Sequence, residues 1–157
     1  MISAAILIGL LEGVSSAHAA VLEPMFAELK REGSGAVVIQ LSANGDLNAD
    51  GVEDSVYVFM FAMGPNRDHT HTQYLTCVSS QGDGSFAASW PSTVGARGYR
   101  VIRSIAIDDQ TVTLRGQFTT SDGTATMADL PADGEIVYRF ADGKLIEQRG
   151  SWQRREE

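Results

Sequence analysis

The chain has 157 residues, which is long enough for one domain with a substantial hydrophobic core. Its formal net charge of −8 argues against nucleic acid or an anionic membrane surface as a partner, because both require clustered Lys and Arg. The single cysteine, Cys77, excludes a fold held by intramolecular disulfides, and we expect this thiol to be buried.

The N-terminal residues have the pattern of a signal peptide. A short apolar run at residues 6–11 precedes Ala17-His18-Ala19, which matches the small-x-small pattern of a cleavage site. The run is too short to span a bilayer, which takes about 20 apolar residues. We therefore predict a signal peptide over residues 1–19, a periplasmic or secreted location, and one mature domain over residues 20–157. The alternative is an N-terminal helix packed on the core, since Glu12 interrupts the apolar run and no Lys or Arg precedes it.

A helix is predicted from Val21 to Arg31, with Gly33 as its stop signal. Four apolar residues recur there at the i, i+3, i+4 and i+7 spacing of one helix face: Leu22, Met25, Phe26 and Leu29. Pro24 is compatible with a helix only in the first turn. This helix should pack against a sheet.

The next part of the chain predicts a hairpin over residues 36–63. Alternating apolar residues at 37–41 and an apolar run at 55–61 flank an acidic loop. Residues 57–61 are apolar on both faces of the predicted strand. We therefore expect a central strand that is covered by the helix on one side and by another layer on the other.

Short strands separated by turns are predicted for the rest of the chain. They lie at residues 73–79, 86–90, 100–107, 111–118, 124–127, 136–140 and 144–148. Residues 64–68 and 91–98 are predicted to be loops, and Gly116 is predicted to mark a bulge or a close backbone approach. The predicted fold is mainly β: an antiparallel sandwich or curled sheet with one N-terminal helix packed on it.

Residues 46–54 carry the clearest chemical signal. They follow the pattern Asp-x-Asn-x-Asp-Gly-x-x-Asp, with oxygen-bearing side chains at positions 1, 3, 5 and 9 and a glycine for the sharp turn at position 6. Four carboxylates crowd into this segment and repel one another unless a cation binds. Oxygen ligands suit Ca²⁺ or Mg²⁺ rather than zinc or copper. We predict a Ca²⁺ site whose ligands are Asp46, Asn48, Asp50, the backbone carbonyl of Val52, and Asp54.

The motif GDxNxDGxxD, followed directly by an apolar strand, resembles the calcium loops of FG-GAP (integrin-type) and VCBS-like repeats. It is less similar to an EF-hand loop, because Tyr57 stands at position 12, where a bidentate Glu belongs, and because a strand rather than a helix follows. The motif occurs once, so the resemblance does not imply a multi-blade propeller. The chain is similar to small exported bacterial proteins of unassigned function that carry such a loop between two strands. The alternative is an acidic Asp-Gly turn without an ion.

Two functional hypotheses follow. The one we favour is a non-enzymatic, exported calcium-binding β-domain with Ca²⁺ as a structural ion, whose exposed loops, such as residues 64–72 and 91–98, meet a protein or glycan partner. The other is a small hydrolase or transition-metal-handling protein that uses His69 and His71, two imidazoles on one face of an extended segment. Asp68 or Cys77 would complete that metal shell, and the simpler alternative is a polar loop with two solvated histidines.

Overall fold

The computed structural model describes residues 14–30, 34–63, 72–96, 100–118 and 132–148. These residues form one helix and nine strands, which confirms the predicted mainly β fold. The elements, in chain order, are α1 (Ser16–Leu29), β1 (Ser34–Gly45), β2 (Asp54–Met63), β3 (Thr72–Ser80), β4 (Phe86–Ala88), β5 (Ser92–Ala96), β6 (Arg100–Asp108), β7 (Thr111–Phe118), β8 (Ala132–Ala141) and β9 (Lys144–Glu147). The predicted strand at 124–127 lies outside the described residues.

The described strands pair in an antiparallel manner in the order β1-β2-β3-β5-β6-β7-β8-β9, with β4 added beside β3. A single described residue pair, Ala96 with Arg100, joins β5 to β6. At this narrow connection the sheet divides into two layers, β1–β5 and β6–β9, whose inner faces share one core. The layers come close where β1 ends, since a Cβ atom on Gly45 would lie 2.7 Å from a methyl group of Ile107. The fold is therefore a sandwich made from one curled sheet.

Two hydrophobic clusters hold the molecule together. The core between the layers contains Leu47, Val56, Val58, Leu75, Cys77, Val94, Ile102, Val112, Leu114, Ile136 and Tyr138. The second cluster lies between α1 and the outer face of the first layer, and it contains Leu22, Met25, Phe26, Val37, Tyr57, Phe59 and Val78. Strand β2 contributes alternate side chains to both clusters, which confirms the prediction of a central strand covered on both faces.

The helix begins and ends earlier than predicted, at Ser16 and Leu29. Ser15 is its N-cap, with a side chain that accepts a hydrogen bond of 3.2 Å from the backbone N–H of His18. Pro24 therefore lies inside the helix and not in its first turn. The proline removes one intrahelical hydrogen bond, and the carbonyl left without it belongs to Ala20, which is exposed to water.

The segment predicted as a loop at 91–98 contains strand β5. It is rich in Ser and Gly and lacks alternating apolar residues, but it pairs with β3 from Thr72 to Leu75 and buries Val94 between the layers. The prediction for Gly116 is confirmed, because the β6–β7 register shifts between Ile102 and Ser104. A Cβ atom on Gly116 would lie 2.1 Å from the carbonyl oxygen of Val101, so only glycine fits there.

Candidate metal centre

The loop at residues 46–53 joins β1 to β2, and its own side chains hold its shape. The carboxylate of Asp46 accepts hydrogen bonds from the backbone N–H groups of Asp50 (3.2 Å) and Gly51 (2.9 Å). The side-chain oxygen of Asn48 accepts from the same Asp50 N–H at 3.2 Å. Asp50 in turn accepts from the backbone N–H of Val52 at 2.8 Å. The oxygens at positions 1, 3 and 5 of the motif are therefore drawn together around shared backbone amides.

Two residues of the loop have positive φ angles, Ala49 at 59° and Gly51 at 80°. Gly51 is the glycine at position 6, where the motif requires a sharp turn, and it adopts this conformation at little cost. Alanine in the left-handed region costs roughly 1–2 kcal/mol. The hydrogen bonds from the backbone amides of the loop to its side chains offset that cost and hold the backbone in this conformation.

Asp54, at position 9, differs from the other acids of the loop because it is fully buried. One carboxylate oxygen accepts from the backbone N–H of Leu47 and the other from that of Ser80, both at 2.8 Å. Leu47 is itself fully buried in the core between the layers. A single carboxylate thus connects the start of the loop to the end of β3 and fixes the loop to the sandwich.

Ser80, at the end of β3, completes the polar cluster, although the sequence analysis did not single it out. Its hydroxyl donates a short hydrogen bond to Asp50, and its carbonyl oxygen accepts from the side-chain amide of Asn48 at 3.0 Å. The hydrogen bonds from Ser80 and then from the Val52 backbone hold the pKa of the Asp50 carboxyl below its usual range. No local pattern connects Ser80 with the loop, since their contact depends on the pairing of β2 with β3.

The predicted ligands fall into two groups. The side chains of Asp46, Asn48 and Asp50 converge at the solvent-facing side of the loop, whereas Asp54 points toward the backbone amides beneath it. Among the residues that the structure describes, no group of three or more His, Cys, Asp or Glu side chains is placed to hold a metal ion. Side-chain carboxylates alone therefore do not make the site. The predicted set adds two oxygens that are not carboxylates, the Asn48 amide oxygen and the Val52 carbonyl, and both are ligand types that hard cations accept.

The transition-metal hypothesis depends on Asp68, His69 and His71, which lie outside the described residues. Its remaining candidate, Cys77, is fully buried between the layers, as predicted. Burial raises the pKa of this thiol to about 11, and the Ser89 hydroxyl is among its neighbours. Because the thiolate is the form that binds metals and attacks electrophiles, Cys77 is poorly suited to either task.

Comparison of the chain with protein-family models, with curated proteins and with solved structures gave no match. Within the described ranges, no helix has both the length and the apolar character needed to cross a membrane. The loop at residues 46–54 is therefore the feature of the chain that points most directly to a function.

Proposed function

We propose that the chain is an exported, non-enzymatic binding module in which a Ca²⁺ ion held by the loop at residues 46–54 stiffens one end of the sandwich. The observation that carries this proposal is the convergence of the oxygens of Asp46 and Asn48 on the N–H of Asp50. Of the ligands predicted from the motif, Asp46, Asn48, Asp50 and the carbonyl of Val52 would bind the ion, whereas Asp54 would hold the loop from beneath through the backbone amides of Leu47 and Ser80.

The charge distribution of the first layer supports a cation at this loop. In the described residues of β1–β5 and their connecting turns there is no Lys or Arg. The same ranges hold five acids: Asp46, Asp50, Glu53, Asp54 and Asp83. Two exposed carboxylates about 4 Å apart repel by about 1 kcal/mol in water, and no basic side chain in this part of the layer relieves that repulsion. A divalent cation supplies the missing countercharge.

The hydrogen bonds of the loop prepare it for an ion. The N–H groups of Asp50, Gly51 and Val52 hold two of the carboxylates in place. Both oxygens of Asp46 and the Oδ1 atom of Asp50 each accept one hydrogen bond from these amides and keep a second lone pair for a cation, whereas Asp50 Oδ2 already accepts two, from Asn48 and Ser80. A loop that is already ordered loses less conformational entropy when the ion binds. The ion in this proposal therefore rigidifies an existing turn and does not fold a disordered one.

The partner in this proposal is a protein or a glycan that meets exposed loops of the module. Two loops were predicted for that role. In the first, residues 64–72, all but the last residue lie outside the described residues. The second, residues 91–98, contains strand β5. Trp90, just before β5, is 59% exposed. An indole ring at the surface suits contact with either a protein or a sugar face, since it combines a large apolar area with one hydrogen-bond donor.

Thermal unfolding of the full chain in EDTA and in millimolar Ca²⁺ tests the metal site. Extracellular calcium modules bind at about 10⁻⁴ to 10⁻³ M, so millimolar Ca²⁺ should add on the order of 1 kcal/mol to the free energy of unfolding. For a domain of this size the melting temperature then rises by about 2–4 °C. Asp50→Ala should melt at the same temperature in both solutions.

Asp83→Ala is the matched control. Asp83 is an exposed carboxylate on the β3–β4 turn that also accepts hydrogen bonds from its own turn, through Ser85, but lies outside the motif. This variant should keep the full response to Ca²⁺. The proposal fails if Ca²⁺ leaves the wild type unchanged, or if it stabilises Asp50→Ala as much as the wild type.

A further inference from the structure

His18 is a buried titratable residue that the calcium proposal does not use. It lies in the first turn of α1 and is 8% exposed. Its Nδ1 atom is 2.9 Å from the hydroxyl of Tyr57 on β2, a residue that is itself buried. The imidazole and the ring of Phe86 on β4 meet in a T-shaped arrangement, with 4.7 Å between the ring centroids. The helix thus places an ionisable ring between two strands of the first layer.

The contact between His18 and Tyr57 is the main polar link between α1 and the sheet. Among the described residues, the other side-chain hydrogen bond between them is the weak contact of the Thr76 hydroxyl with the sulfur of Met25, at 3.8 Å. The rest of the docking surface is apolar and is formed by the second cluster, which includes Leu22 and Phe26. The packing of α1 against the first layer is therefore sensitive to a positive charge on His18.

The charged and titratable groups around His18 set the form in which it is stable. Burial lowers the pKa of His18, and the negative charges of Asp54, the first residue of β2, and then of Glu53, the last residue of the loop before it, oppose that effect. Burial also raises the pKa of Tyr57, so its hydroxyl stays protonated and is able to donate to a neutral imidazole that carries its proton on Nε2. Strand β4 presents the uncharged ring of Phe86, and the acids of α1 itself, such as Glu23, lie further along the helix.

The direction of the pH dependence follows from this shift. The docked imidazole has a lower pKa than a free one, whose ordinary value is 6.5. The neutral imidazole therefore stabilises the docked helix fully at a pH above the pKa of the free imidazole. This stabilisation is lost as the pH falls through the lower pKa of the docked imidazole. In the tautomer with the proton on Nε2, protonation of Nδ1 removes the lone pair that accepts from Tyr57, so the hydroxyl must turn its own proton elsewhere.

We propose that His18 is a pH-sensitive latch, which holds α1 on the first layer in neutral solution and releases it in mildly acidic solution. The core between the layers contains no residue of α1, so release of the helix leaves the packing of that core in place. Release uncovers the apolar face formed by Tyr57, Phe59 and Val78. The latch requires residues 15–18, so it operates in the chain with the packed N-terminal helix and not in a chain cleaved after Ala19, and it is tested on residues 1–157.

Hydrogen–deuterium exchange of the full chain in EDTA, from about pH 8 to about pH 5, tests the latch, with rates converted to protection factors at each pH. Protection of peptides from α1 should fall by up to about tenfold for each unit by which the docked pKa lies below the free one. Protection of β7 should not change. His18→Gln, which is polar but does not titrate in this range, should remove the pH dependence of α1, and His71→Gln should keep it.

A second measurement tests the latch on the wild-type protein alone. The titration of the His18 ring, followed by NMR in the wild type, should have its midpoint below 6.5 and coincide with the loss of α1 protection. The proposal is overturned if α1 protection does not depend on pH, if His18→Gln shows the wild-type dependence, or if the two midpoints differ.

Discussion

Replacing Asp54 with alanine removes both acceptors of the hydrogen bonds that tie the loop to the end of β3. The backbone N–H groups of Leu47 and Ser80 then lose their partners in a region that is closed to solvent. We expect this variant to be destabilised even when no calcium is present, because the two hydrogen bonds belong to the fold itself.

The expected decrease in the free energy of unfolding can be calculated from those two hydrogen bonds. A hydrogen bond to a charged group contributes about 1.5–3 kcal/mol net, so the two bonds together contribute about 3–6 kcal/mol. A domain has about 5–15 kcal/mol of stability in total, so Asp54→Ala removes a large part of it. The melting temperature should fall by about 6–24 °C, at about 2–4 °C for each kcal/mol. Asp54→Asn keeps one acceptor oxygen and places an NH₂ group against the other N–H, so it should lose about half as much.

Urea unfolding in EDTA measures these losses, with Asp46→Ala as the control. Asp46 also accepts two backbone hydrogen bonds, but both are exposed, and we expect a loss of about 1 kcal/mol or less. In Ca²⁺ the difference between Asp46→Ala and the wild type widens by about 1 kcal/mol, because Asp46→Ala also loses the response to the ion, and Asp54→Ala remains the least stable. If Asp54→Ala is no less stable than Asp46→Ala in EDTA, the reasoning about the buried carboxylate is wrong.

Further predictions concern other parts of the chain. Gly116→Ala should cost at least about 1–3 kcal/mol in urea unfolding, because its Cβ would lie 2.1 Å from the Val101 oxygen, and a neutral result would contradict the bulge. Cys77, whose burial raises its thiol pKa to about 11, should not react with an aromatic disulfide reagent at about pH 8 until urea unfolds the protein. Rapid labelling of the native protein would refute this. Mass spectrometry of the protein recovered from a host that exports it decides between the two N-terminal predictions. A first residue of Ala20 favours the signal peptide, and a chain that keeps His18 favours the packed helix.

The sequence could predict features that depend on local patterns. The β2 segment is apolar at successive positions, which is typical of a strand covered on both faces, and Val58 and Tyr57 do reach different clusters. The loop motif likewise specified which residues would supply oxygens, and Asp46, Asn48 and Asp50 lie together in the structure. In both cases neighbours along the chain determine the result.

Features that depend on distant pairing could not be predicted. Strand β5 has one fully buried apolar side chain, Val94, and it is a strand because β3 offers it a free edge. The position of Asp54 beneath the loop depends on the backbone of Ser80, which only the β2–β3 register brings near. The sequence pattern did not predict the start of α1 for a similar reason. The first turn of the helix contacts Tyr57, a residue far along the chain, through His18.

The strand order has a consequence for folding kinetics. Each described strand pairs with one that is close to it in the chain, so most of the sheet can form from local hairpins, which close quickly. The contact between Gly45 and Ile107 joins distant parts of the chain and requires the two layers to meet. Closing the layers is therefore the step with the largest loop entropy, and we expect it to limit the folding rate. The loop at residues 46–53 lies within the first hairpin, so its turn is available to a cation before the sandwich has closed.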